Sequence, residues 1–108
     1  MHAPIIDKEY LVRGSREVRS ITNPATGSVF AEFVCANSSD ADRAASSAAR
    51  SFPKWSGTAP RDRARVLGAM ADKVRNASSE LAKQITLEQG KPLAEARLEL
   101  SGVVGMLE

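Results

Sequence analysis

The chain has 108 residues, 43% of them hydrophobic but only 5% aromatic, and its 15 basic and 13 acidic residues leave a net charge of +2. Charge so nearly balanced, with the signs interspersed, argues against nucleic acid as a partner. One cysteine excludes an intrachain disulfide, no basic segment leads into a long apolar run, and no apolar stretch approaches the roughly 18 residues of a membrane span. A cytoplasmic protein with no membrane partner is therefore expected, either one small domain or part of a larger one. The triplets Asn37-Ser38-Ser39 and Asn76-Ala77-Ser78 match the glycosylation pattern but mean nothing without secretion.

Residues 1–36 have the character of strands. Ile5-Ile6 and Tyr10-Leu11-Val12 are short apolar pieces around Asp7-Lys8-Glu9, and His2, near the terminus, is given no role. Val18 to Thr22 and Val29 to Cys35 flank Asn23-Pro24-Ala25-Thr26-Gly27. Pro presets φ at the second turn position and Gly supplies a left-handed residue, which predicts a short hairpin loop with a bulge. Alternation puts Val29, Ala31, Phe33 and Cys35 on one face and Phe30, Glu32 and Val34 on the other.

Residues 37–108 take a helical period, and about four helices are expected. Ala41, Ala44, Ala45, Ala48, Ala49 and Phe52 form a stripe at i, i+3, i+4, i+7, i+8, i+11 that predicts close packing of this helix on another element. Ser38 or Ser39 is the expected cap, Asp40 and Asp42 suit the positive first turn, and Pro53 is expected to end the helix. A second helix starts at Thr58, with Ala64, Leu67, Ala71 and Val74 on its face. A third starts at Ser78 or Ser79 and uses Leu81, Ile85 and Glu88. A fourth opens at Pro92 with Leu93, Ala96, Leu100, Val103 or Val104, and Leu107. Gly90 and Pro92 form the corner between the last two, Gly closing one helix and Pro suiting the first turn of the next. No stop signal follows Leu107, so the sequence predicts a helix continuing beyond it.

Several residues invite a chemical reading. Cys35 is a small hydrophobe on an alternating strand, with no cationic cluster or helix N-terminus in the sequence to lower its pKa. Trp55 is expected to be a packing anchor at a helix exit, with ligand stacking as the alternative. Arg61, Arg63, Arg65, Lys73 and Arg75 form a solvated face making surface ion pairs or a contact between subunits. Gly90-Lys91-Pro92 is no phosphate loop, having one Gly, no following Ser or Thr, and no strand leading into it.

An ordered series of short strings carries a resemblance. Ile21-Thr22-Asn23-Pro24-Ala25-Thr26-Gly27, then Asp40-Ala41-Asp42-Arg43-Ala44-Ala45, then Phe52-Pro53-Lys54-Trp55, Arg61-Asp62-Arg63-Ala64-Arg65-Val66-Leu67 and Glu80-Leu81-Ala82 occur in sequence. They lead to Thr86-Leu87-Glu88-Gln89-Gly90-Lys91-Pro92-Leu93-Ala94-Glu95-Ala96-Arg97. The series is similar to the N-terminal part of the aldehyde dehydrogenase superfamily, and its last string looks most like the succinate-semialdehyde dehydrogenase group. The resemblance implies an α+β piece, an antiparallel hairpin region followed by helices, that flanks a Rossmann-like domain in the parent. It implies oxidation of an aldehyde, succinate semialdehyde among the candidates, to a carboxylate with NAD or NADP. In that chemistry a thiolate attacks the carbonyl, hydride leaves to the nicotinamide, and a carboxylate base activates water against the thioester.

The resemblance places the family's catalytic Cys, Glu and Asn and its nucleotide-binding residues further along than this chain reaches, so no catalytic or cofactor-binding residue is assigned. It implies a truncated N-terminal portion, inactive alone and binding no cofactor alone, that aggregates or pairs with missing chain where family members form homo-oligomers. The alternative is a non-catalytic module pairing with a full-length dehydrogenase subunit. Some family members bind a monovalent cation through backbone oxygens of the two residues before Asn-Pro and an acidic residue two before the Gly. By position these are Ile21, Thr22 and Glu88; the alternative for Glu88 is a cap or pair at a helix end.

Overall fold

The computed structural model describes residues 2–108. Asp7 and Lys8 take φ of 53° and 69°, giving the tight two-residue turn whose twist suits a hairpin. They join β1 (Ile5–Ile6) to β2 (Glu9–Tyr10), with Ile5 opposite Tyr10. β3 (Val18–Thr22) pairs antiparallel with β4 (Val29–Val34), Ile21 opposite Ala31 and Thr22 opposite Val29. The bulge between Ile21 and Thr22 is the one the turn residues predict. His2 is tied to this hairpin: its N–H donates to Glu32 O at 2.7 Å and its carbonyl accepts from Val34 N–H at 2.9 Å.

The chain divides into two units. One runs up to Thr22 and resumes over Val29–Gly57; the other combines Asn23–Ser28 with Thr58–Glu108. In the first unit, α1 (Ser38–Ser56) is capped by Asn37 rather than by either expected serine. Asn37 Oδ1 accepts from Asp40 N–H at 3.0 Å and Asp40 Oδ2 accepts from Asn37 N–H at 3.1 Å, a reciprocal capping box. Pro53 lies inside the helix, which runs on to Ser56; the stop is Gly57, whose N–H donates to Pro53 O at 3.2 Å.

The alanine stripe does not pack as its period predicts. Ala41, Ala44, Ala45, Ala48, Ala49 and Phe52 are all exposed, and α1 meets its own unit through polar residues instead. Asp40 is buried, Ser47 donates to Asp7, and Arg50 pairs with Asp7 at 3.2 Å. Specific polar bonds outweigh the small area that alanine side chains offer.

In the second unit, the two middle helices expected from the sequence are one, α2 (Pro60–Gln89), so there are three helices where about four were expected. Between Gly68 and Gly90 the sequence has no Gly or Pro to stop a helix. Ser78 falls in phase in the stripe Ala71, Val74, Ala82, Ile85, so packing continues through the serines. The N-cap is Ala59, ahead of Pro60, not Thr58. α3 (Leu93–Leu107) packs back on α2 through a core of Ala82, Ala96 and Leu100, with Val74, Ile85 and Leu93 against it. Alanine on both helices lets the backbones approach closely. Among the described residues no helix is long and apolar enough to cross a membrane.

Candidate functional site

The Gly90 corner is where the sequence's most specific string meets its turn loop. α2 ends because Gly90 adopts φ 72°, its N–H donating to Thr86 O at 2.9 Å. The loop Asn23–Ser28 is built by its own side chains. Asn23 Oδ1 accepts from Ala25 N–H at 2.9 Å, Asn23 O accepts from Gly27 N–H at 2.8 Å, and Gly27 takes φ 73°. A Cβ on Gly90 would stand 3.0 Å from Pro24 Cγ and 3.3 Å from Ala25 N. The face of this glycine is therefore covered by the loop, and Gly90 serves close packing of chain against chain.

One turn before Gly90, the hydroxyl of Thr86 is buried with no hydrogen-bond partner. Nothing in the sequence pattern singled it out, since a threonine one turn from a helix end is usually solvated. Glu88 is exposed and accepts from Gln84 Nε2 at 2.8 Å. Ile21, half-buried, and Thr22, exposed, are neighbours at the bulge of β3 and belong to the other unit. Among the described residues, no three His, Cys, Asp or Glu side chains cluster to hold a metal ion. Cys35 is half-buried, its backbone N–H donates to Glu17 O at 2.8 Å, and its thiol is free. Trp55 is 41% exposed, less sheltered than a packing anchor should be.

Several charged groups elsewhere hold the structure together. Arg16 grips buried Asp40 with two guanidinium nitrogens, Nε to Oδ2 at 2.7 Å and Nη2 to Oδ1 at 2.8 Å, while Nη1 donates to Val12 O at 2.9 Å. That fork, then the Asn37 backbone N–H, lowers the Asp40 pKa to about 2. The hydrogen bond from Ser47 and the Arg50 guanidinium hold Asp7 below the ordinary carboxylate value. Within the basic run of α2, Arg65 pairs with Asp62 at 2.9 Å and Arg75 with Asp72 at 2.6 Å, both i, i+3 on one helix. This is the solvated ion-paired face. The sequence places Asp40 only in a helix first turn; its partner Arg16 lies 24 residues away in a loop without period.

A model of the aldehyde dehydrogenase family matches residues 11–108. The chain is 39% identical over 95 residues to a malonate-semialdehyde dehydrogenase of Listeria monocytogenes, a match covering 88% of this chain and 20% of that protein. It is 32% identical over 104 residues to the NADP(+) succinate-semialdehyde dehydrogenase of Escherichia coli, covering 96% and 22% respectively. In structure it is similar to betaine aldehyde dehydrogenase of Staphylococcus aureus in complex with NAD+, with TM-score 0.91 and 28% identity, covering 99% of this chain and 22% of that one. The chain thus spans about one fifth of the length of the relatives it matches.

Proposed function

The chain belongs to the aldehyde dehydrogenase family, and on that premise we propose that it is the N-terminal portion of an NAD(P)-dependent enzyme oxidising a semialdehyde to the corresponding dicarboxylate. Succinate semialdehyde is the substrate that the corner string favours; the higher identity to a malonate-semialdehyde dehydrogenase keeps the proposal at semialdehydes as a class. The observation carrying it is the packed corner, in which Gly90 closes against Pro24 and Ala25. Two strings of the resemblance, 65 residues apart, here form one contact.

This chain's own part is to build and hold the front of the fold. The asparagine-led loop seats the end of α2, α3 returns over α2, and the Arg16–Asp40 fork fixes the start of α1. That the left-handed glycine ending α2 is covered by protein supports a dinucleotide site built by other parts of the whole enzyme. NAD(P) supplies the hydride acceptor in the whole enzyme, and the chain alone is expected to oxidise nothing. In the whole protein we assign the backbone oxygens of Ile21 and Thr22 and the carboxylate of Glu88 to a monovalent cation, with potassium dependence of activity and its loss in Glu88→Gln as the check.

The test is the DNA beyond the codon for Glu108, read in all three frames. A nucleotide-binding segment and a catalytic-cysteine segment are expected there. The enzyme assembled from them should reduce NAD(P) with succinate or malonate semialdehyde. An unrelated gene, together with co-purification of this chain with a full-length dehydrogenase, would establish the interaction module instead.

A further inference from the structure

Within the second unit, a cleft of about 360 Å3 opens between α2 and α3, walled by Arg75, Ser78 and Ser79 on one side and Arg97 and Ser101 on the other, over Leu100. Arg75, Ser78 and Ser79 fall at i, i+3 and i+4 on α2, and Arg97 and Ser101 at i and i+4 on α3, so each set shares one helix face. The walls therefore carry two guanidiniums and three hydroxyls and no carboxylate.

The donors are in large part unspent. Arg97 has no carboxylate partner, and the hydroxyls of Ser78 and Ser79 make no hydrogen bond, among the described residues. The Ser101 hydroxyl donates to Arg97 O at 3.1 Å. Arg75 already holds carboxylates, Asp72 at 2.6 Å and Glu108 beside it, so this rim accepts oxyanions. Guanidinium forks with adjacent hydroxyl donors recognise a tetrahedral oxyanion better than any cation or neutral group.

We propose that this cleft binds the phosphate group, either free or as the end of a small phosphate monoester. Arg97 is the principal cation, Arg75 shares it, and Ser78 and Ser79 donate to the remaining oxygens, while Ser101, its hydrogen held by Arg97 O, lines the wall. The Glu108 carboxylate competes with the ligand for Arg75. Binding is weak and salt-sensitive because the arginines are exposed.

Equilibrium dialysis of the whole chain against radiolabelled inorganic phosphate, at fixed ionic strength set with sodium chloride, tests it. Saturation at one phosphate per chain is expected, with affinity lost about tenfold in Arg97→Gln and raised severalfold in Glu108→Gln. Arg63→Gln, on α2 but outside the cleft, should change nothing. Displacement by phenyl phosphate below the concentration needed of unlabelled phosphate assigns the site to monoesters; displacement only at higher concentration assigns it to free phosphate. Where Arg97→Gln alters the far-ultraviolet circular dichroism, Ser78→Ala with Ser79→Ala replaces it. Unsaturating uptake, or equal uptake by Arg97→Gln and Arg63→Gln, overturns the proposal.

Discussion

Replacing two glycines of the same conformation separates backbone strain from packing. Gly27 and Gly90 take φ of 73° and 72°. A Cβ on Gly27 meets nothing within 4 Å, whereas on Gly90 it stands 3.0 Å from Pro24 Cγ and 3.3 Å from Ala25 N. Alanine in the left-handed region costs about 1–2 kcal/mol, partly offset by the reduced freedom of the unfolded chain, so Gly27→Ala should destabilise by about 1 kcal/mol. Gly90→Ala carries that cost and the crowding of a filled contact, about 1–3 kcal/mol more, for a total of about 2–4 kcal/mol. Pro24 can shift its ring but the Ala25 backbone cannot, so Pro24→Ala should recover only part of the difference. Urea unfolding followed by circular dichroism reads Gly27→Ala and the cycle of Gly90→Ala, Pro24→Ala and their double variant, with exchange of the Ala25 and Gly27 amides as the local measure. Equal losses for Gly27→Ala and Gly90→Ala would refute the packed corner, and with it the central support for the functional reading.

Lys8 holds φ 69° with a side chain that disfavours it, so Lys8→Gly should raise stability by about 1 kcal/mol, read as a higher urea midpoint. Asp40 has its folded pKa lowered to about 2 by the Arg16 fork. Its contribution is complete above the unfolded value of 3.8 and is lost as pH falls through the folded pKa. Asp40→Asn should flatten the fall of stability between about pH 4 and 2, and an unchanged acid profile would exclude the fork as its source. The chain also leaves Phe52 65%, Leu98 72% and Met106 89% exposed, which predicts strong binding of an anilinonaphthalene dye and a broad thermal transition. A sharp, concentration-independent melt of a monomer that binds no dye would contradict it.

What the sequence disclosed and what it withheld follow from the range of the interactions involved. The β3–β4 hairpin, its bulge and the Gly90 corner were legible because each rests on residues a few positions apart: Asn23 bonding its own loop, Gly27 and Gly90 supplying positive φ. Helix ends were less so, since several residues compete to cap. Asn37 won over Ser38 and Ser39 by having Asp40 three residues on, and the serines at 78 and 79 failed to break α2 because the stripe through Ala71 and Ala82 ran on in phase. The direction in which α1 faces was not legible at all. Its apolar period pointed to one side, yet Asp40, Ser47 and Arg50 turn the other side toward their unit, through partners at Arg16 and Asp7 that no period marks. An exposed alanine stripe beside polar docking is the expected outcome when the surface it would cover is not supplied by the unit that holds α1. α3 makes the same point from its other side. Leu93, Ala96 and Leu100 are spent on α2, while Leu98 and Met106 stand exposed on the opposite face. A helix with apolar residues on two faces has two surfaces to cover. The period of a helix records every surface it meets in the finished protein, and here α1 and α3 each record more surfaces than their own units provide.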